Sequence, residues 1–220
     1  MLDRAARARV VPFALYMAFV VLADVLSAAG LDAQALRWLY PVKIAAVLGA
    51  LWHWRREYSE LAWRPPGAAG IALALGAGVL VWWLWIALDA PWMVVGAPAG
   101  FVPLTGGRPD WLLIAVRLAG AALVVPVMEE LFWRSFLLRR LMAERFLAVD
   151  PGRLAAVPVV VTVLLFGVEH NQWLAGMVAG AVYTALYWHG RTLWLPVLAH
   201  AVTNAVLGGW VLATANWTYW

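Results

Sequence analysis

Three short patterns in the second half of the chain bring together side chains that can do chemistry. They are Glu129 and Glu130 with Arg134, Phe166 with His170, and His200 with Asn204. Residues four apart share a helix face, so Glu130 and Arg134 can pair, with the acid on the favoured N-terminal side. Glu129, about 100° round the same helix, is left without that partner. His200 and Asn204 are also four apart and stack on one face of an otherwise apolar helix. Alone, the glutamates with Arg134 read equally well as one neutralised charge cluster, and a single His170 would be unremarkable in a core. Taken together, an unpaired carboxylate, two imidazoles and an amide on three helices can activate water and stabilise an oxyanion, with no need for Ser or Cys. Asp24, Lys43, Arg117 and Glu169 also fall in or beside apolar stretches, where an ionised group costs several kcal/mol unless paired. Asp24 and Lys43 have opposite sign and are expected to form an interhelical ion pair. Arg117 is expected to snorkel outward from the start of its helix. Glu169 is an extra acid to which the sequence assigns no role.

The elements that must carry these residues are membrane helices. Of 220 residues 65% are hydrophobic and only 13% charged, and the mean hydropathy is +0.80, which excludes a water-soluble globule. Apolar stretches at 10–30, 35–54, 69–88, 111–131, 154–170, 172–188 and 193–214 predict an all-α polytopic transmembrane helical bundle of about seven spans. An eighth is added if the Pro- and Gly-rich segment 89–110 also enters the bilayer. The chain reads as one integral membrane domain, 1–220, with accessory spans in 1–109 and the motif-bearing helices in 110–214. Basic residues cluster at 1–9, 55–68, 139–153 and Arg191, eleven in all, against Arg37 and Arg108 in the alternate loops. That asymmetry predicts a multi-pass protein of the plasma (inner) membrane with a cytoplasmic N-terminus and the C-terminus on the outer side. The first stretch reads as a retained span rather than a signal peptide. The net charge of +4 is spent on such clusters and calls for no nucleic acid. Many of the 16 Trp, including Trp38, Trp52, Trp92, Trp111 and Trp133, fall near span ends and are expected in the interfacial belts.

Depth supports convergence of the motifs. Ten residues separate Arg139 from Glu129 and nine separate Arg191 from His200, about 14–15 Å of helix rise in each case, which reaches the bilayer midplane. His170 lies seventeen residues from Arg153, roughly 25 Å, so its helix must tilt, start late near Pro158 or break before His170.

At these three patterns the sequence resembles the CPBP family of intramembrane proteases, which includes the CAAX-processing Ras-converting enzyme and the bacterial Abi proteins. The resemblance covers about residues 111–210 and rests on the motifs occurring in order on hydrophobic helices. The stretches RVVPFALYMAF and WLYPVKIAAVLGALWHWRREYSEL look like bacterial CAAX-protease-related proteins that accompany exosortase systems. The resemblance implies an endopeptidase acting on a membrane-associated protein or peptide within the lipid bilayer. Glu129 would be the general base for the attacking water, assisted by His170. His200 and Asn204 would hold the oxyanion, and Glu130, Arg134 and Phe166 would support the site. A divalent metal such as zinc stays open: Glu129, His170 and His200 could ligate it with water in the fourth position, yet the same groups suffice without metal.

Other intramembrane chemistries fail on residues. His170 is followed by Asn171, Gln172, Trp173 and Leu174, so there is no HExxH site. No GxGD or GxSG is present, Ser27, Ser59 and Ser135 are the only serines, and the absence of Cys excludes a cysteine nucleophile. The alternatives from other classes are a non-catalytic scaffold or bacteriocin-immunity protein of the same fold, and a proton-coupled transporter.

Overall fold

The computed structural model describes residues 2–62, 66–96 and 100–220, and in these the apolar stretches fold as seven main helices. They are α1 (Arg4–Ala28), α2 (Ala33–His53, bent at Arg37 and Trp38), α3 (Ala68–Ala87), α4 (Trp111–Arg140), α5 (Ala156–Val168), α6 (Trp173–Gly190) and α7 (Trp194–Thr214). Three of them begin on an aspartate whose carboxylate accepts a free backbone N–H of the first turn: Asp3 from Ala6 (2.7 Å), Asp32 from Ala35 (2.7 Å) and Asp110 from Leu113 (3.2 Å). The fold is thus a polytopic transmembrane helical bundle.

Five of the seven, α1 to α4 and α7, are long and apolar enough to cross a bilayer. The other two, α5 and α6, do not meet that measure of length and apolarity. With 13 residues, α5 rises only about 20 Å. In α6, an 18-residue helix, the buried face is built of Gly, Ala, Thr and Tyr with Leu186, and packs on α3, α5 and α7, so that face answers to protein neighbours more than to lipid. Segment 89–110 holds no helix of membrane length among its described residues. It forms a short 3-10 turn, Pro91–Met93, and a hairpin of β1 (Leu104–Thr105) and β2 (Arg108–Pro109). The hairpin turns on Gly106 and Gly107, at φ 58° and 77°, the left-handed pair that a two-residue turn of this hand requires.

Alternate loops gather at two opposite ends. At the basic end, Arg9 is fully buried and binds Glu60 (2.9 and 2.5 Å), Ser135 (3.0 Å) and the carbonyls of Ala5 and Glu57, while Ser135 also donates to Glu60. Arg139 donates to the carbonyls of Leu147 and Val149. Arg9 and Arg139, read in the sequence as topology signals, are therefore also the fasteners of this end. Arg64, counted in the same cluster, lies outside the described residues. At the other end Arg37 donates to the Leu104 carbonyl, Asn171 to that of Val95, and Tyr219 to Asp89.

Two expectations are corrected. Asp24 and Lys43 make no ion pair among the described residues; the Lys43 ammonium instead lies 3.9 Å from the centroid of the Tyr16 ring, a cation–π contact that leaves Asp24 alone. Trp133 is not interfacial: it is buried among Phe13, Phe132 and Phe166 in the core.

Candidate active site

The polar groups of the site rest on α4, whose ladder is interrupted twice. Gly120–Val124 and Leu131–Leu137 are π-helical, and the six α-helical residues between them, Val125–Glu130, carry both glutamates. Pro126 explains the first interruption. In the π register, in which Val125 donates to the Gly120 carbonyl, the next donor would be the N–H of residue 126 to the Ala121 carbonyl, and proline has none. The orphaned Ala121 oxygen accepts the side-chain amide of Asn204 (2.8 Å) from α7. A missing proton in one helix thereby fixes a side chain of another.

The second glutamate is neutralised behind the site. Glu130 and Arg134, both at 0% exposure, pair at 3.1 Å, and Arg134 also donates to the Gly180 carbonyl of α6 (3.0 Å) and lies 4.5 Å from the Phe166 ring centroid. The same Glu130 oxygen meets Nδ1 of His200 at 3.1 Å. A carboxylate can only accept, so His200 presents an N–H at Nδ1 and turns Nε2 away from Glu130. The His200 ring stacks on Tyr183 (4.9 Å between centroids), whose hydroxyl donates to Thr203 (2.8 Å). α7 comes this close because Gly78 on α3 has no side chain: a Cβ there would lie 2.5 Å from the Ala199 carbonyl.

His170 sits past the end of α5, in the turn that leads to α6. The helix both starts late, at Ala156, and ends before His170, which resolves the mismatch of rise foreseen from the sequence. Gly167 makes the turn possible; a Cβ there would lie 2.3 Å from Met177 and 2.7 Å from the Trp173 carbonyl. Nδ1 of His170 lies 2.7 Å from the Phe166 carbonyl. This oxygen can only accept, so Nδ1 carries the proton and Nε2 is left with a lone pair. Rings of Trp85 (5.2 Å) and Phe166 (4.9 Å) flank the imidazole.

Glu129, His170, His200 and Asn204 all line one cavity of about 160 Å³ between the helices. Glu129 is 4% exposed, and its Oε2 has no protein hydrogen-bond partner. Phe166 lines the same wall. A second cavity of about 340 Å³, bordered by Asp89, Glu169 and Asn171, shares His170, Trp85 and Arg117 with the first and lies toward the C-terminal end. Among the described residues no group of three or more His, Asp or Glu side chains could hold a metal ion. Glu129, His170 and His200 therefore do not form the ligand set that zinc would need. Sequence reasoning missed the hydroxyls of Tyr183 and Thr203 and the part played by Pro126. Of these, only a proline in the middle of an apolar span was a visible signal.

Residues 111–206 match a family described as type II CAAX prenyl endopeptidase Rce1-like. A domain of the CAAX-protease kind is thus present from the start of α4 into α7, which supports a membrane-embedded hydrolase, a protease, at the level of the family. No curated protein and no solved structure matches the chain.

Proposed function

We propose that the protein is an intramembrane endopeptidase that hydrolyses a peptide bond of a membrane-associated protein or peptide, with Glu129 as general base. The observation that carries this reading is the convergence of Glu129, His170, His200 and Asn204, from separate elements, on one cavity in which the Glu129 Oε2 has no hydrogen-bond partner among the described residues.

The chemistry follows from the donors and acceptors. Glu129, with His170 on the wall of the same cavity, takes a proton from water as the water oxygen adds to the scissile carbonyl carbon. The carbonyl π pair moves to oxygen. Asn204 keeps a second amide N–H beyond the one given to Ala121, and His200 offers Nε2–H when it carries its second proton; both are donors for that oxyanion. Collapse of the tetrahedral species breaks the C–N bond, and the proton held by Glu129 passes to the leaving amine. Glu130 and Arg134 touch no substrate: they hold His200 in its tautomer and α4 against α6. No step needs a metal ion. With the basic end cytoplasmic, the protein lies in the plasma membrane of a bacterium with its larger cavity toward the outer side.

The test compares protein termini in host membranes carrying wild type or Glu129→Gln at matched abundance. Defined cleavage products are expected to vanish in the variant, naming the substrate and the side of cleavage. Coincident profiles, with a phenotype still seen on deletion of the whole protein, would replace the protease with a scaffold.

A further inference from the structure

Arg117 is the one arginine or lysine on the wall of the candidate catalytic cavity among the described residues, and nothing in the proposed chemistry uses it. It also lines the adjoining larger cavity. Far from snorkelling outward, its guanidinium lies 4.3 Å from the centroid of the Tyr40 ring and 5.1 Å from that of Phe101. Tyr40 in turn donates its hydroxyl to the Arg117 carbonyl (3.2 Å), which fixes the ring. Among the described residues the guanidinium makes no hydrogen bond and no ion pair, and its Nε is fully buried. Glu129 and Glu169 face the same cavities without pairing with it. The two rings, 6.0 Å apart and tilted by 54°, meet the guanidinium with their π-systems but leave its N–H donors unanswered. A cation held so, at membrane depth, is half of a pair. The planar fork it presents fits a carboxylate.

From these contacts we infer that Arg117 is a specificity-determining residue that binds a carboxylate of the substrate, an inference that rests on the protease reading. The chain sets the distance. Arg117 precedes Glu129 by twelve residues, about 18 Å of helix rise. An extended peptide covers at most about 3.6 Å per residue, so spanning that rise takes at least about five residues between the carboxylate and the bond that is cut. Two sources share this chemistry, an Asp or Glu side chain and the α-carboxylate of a chain end.

The experiment uses full-length Glu129→Gln protein in phosphatidylcholine nanodiscs, with and without Arg117→Gln, and three pools of randomised acetylated octapeptides. One pool has a free C-terminal carboxylate and no Asp or Glu, one is amidated and contains Asp or Glu, and one is amidated without either. Retained peptides are counted by mass spectrometry. A carboxylate-bearing pool is expected to be retained about 30-fold over the carboxylate-free pool, with the preference lost on Arg117→Gln. Which pool is favoured names the source. Arg117→Lys keeps the charge without the fork and should recover only part of the preference, which separates recognition from misfolding. Equal retention of the three pools, or a preference that survives Arg117→Gln, overturns the assignment. So does loss of the preference when phosphatidylglycerol is added, if that lipid is then retained through Arg117, since the occupant would be a lipid phosphate. Wild-type protein that binds the preferred peptides but never cuts them sinks the protease reading and leaves Arg117 assigned.

Discussion

Replacing Arg134 by Met tests whether Glu130 is a structural partner or a second working acid. Arg134 is at 0% exposure and gives one N–H to Glu130 at 3.1 Å and another to the Gly180 carbonyl at 3.0 Å. Its removal strands a carboxylate that is itself at 0% exposure, with His200 the one hydrogen-bond partner left to it among the described residues. Breaking a buried pair from one side costs about 3–5 kcal/mol, and the lost bond to Gly180 and the Phe166 ring contact are contained in that figure. Glu130→Gln should cost a similar amount, because it leaves Arg134 buried and uncompensated. The double variant removes both charges, and Met fills much of the volume. It should therefore be more stable than either single variant, within about 2 kcal/mol of wild type. Reversible unfolding in mixed micelles, followed by tryptophan fluorescence from the 16 indoles, measures all four corners of the cycle. A double variant whose loss equals the sum of the two single losses would refute the reasoning, since the two groups would then not be acting as a pair.

Two further outcomes are expected. Pro126→Ala restores an N–H that can reach the Ala121 carbonyl and displace the Asn204 amide; stability should hold or rise, while substrate cleavage falls about 100-fold, the scale of one lost oxyanion donor. Unchanged cleavage would mean that the bulge does not position Asn204. At the basic end, burial works to raise the Glu60 carboxyl, but the hydrogen bonds and charge of Arg9, with Ser135, outweigh it and hold Glu60 below its ordinary 4.5. A depressed folded value gives stability that is present above pH 4.5 and lost as pH falls through the lower value. Unfolding measured from pH 6 to pH 3 should show that loss in wild type and a flatter profile in Glu60→Gln; parallel profiles would remove Glu60 from the account.

Spacing along one helix was legible in the sequence, and partners on other helices were not. The four-residue step from Glu130 to Arg134 selects the pair that forms and isolates Glu129, and the ordered motifs identify the helices that meet. The same rule put His200 and Asn204 on one face, but their hydrogen bonds go to Glu130 and Ala121 on α4, and no periodicity within α7 specifies that. Opposite sign suggested that Asp24 and Lys43 pair; Lys43 found the ring of Tyr16 instead, because an ion pair needs geometry as well as charge. Hydropathy marks α5 and α6 as spans on apolarity alone, without sight of their neighbours. It reads a helix as though lipid surrounded it, whereas one face of α6 packs on α3, α5 and α7, and α5 ends beside Gly167, where a side chain would meet Met177.

The two π-helical segments explain how a charged site can stand in the middle of a membrane helix. Each π turn releases backbone groups from the ladder and widens the helix, which is destabilising in hydrocarbon unless another element answers it. Asn204 answers at Ala121 in the first segment. The second is anchored by its own side chains instead: Arg134 reaches the Gly180 carbonyl, and Ser135 bonds Arg9 and Glu60 at the basic end. Glu129 and Glu130 lie on the short α-helical stretch between these two anchored interruptions. The stretch is therefore fixed in rotation at both ends by groups from α1, α6, α7 and the loop before α3, and one carboxylate is turned onto Arg134 while the other faces the cavity. A straight helix would carry the same residues without fixing which glutamate does which job. The Arg9–Glu60–Ser135 cluster, none of whose members lines the cavity, thus belongs to the support of the site as much as Pro126 does.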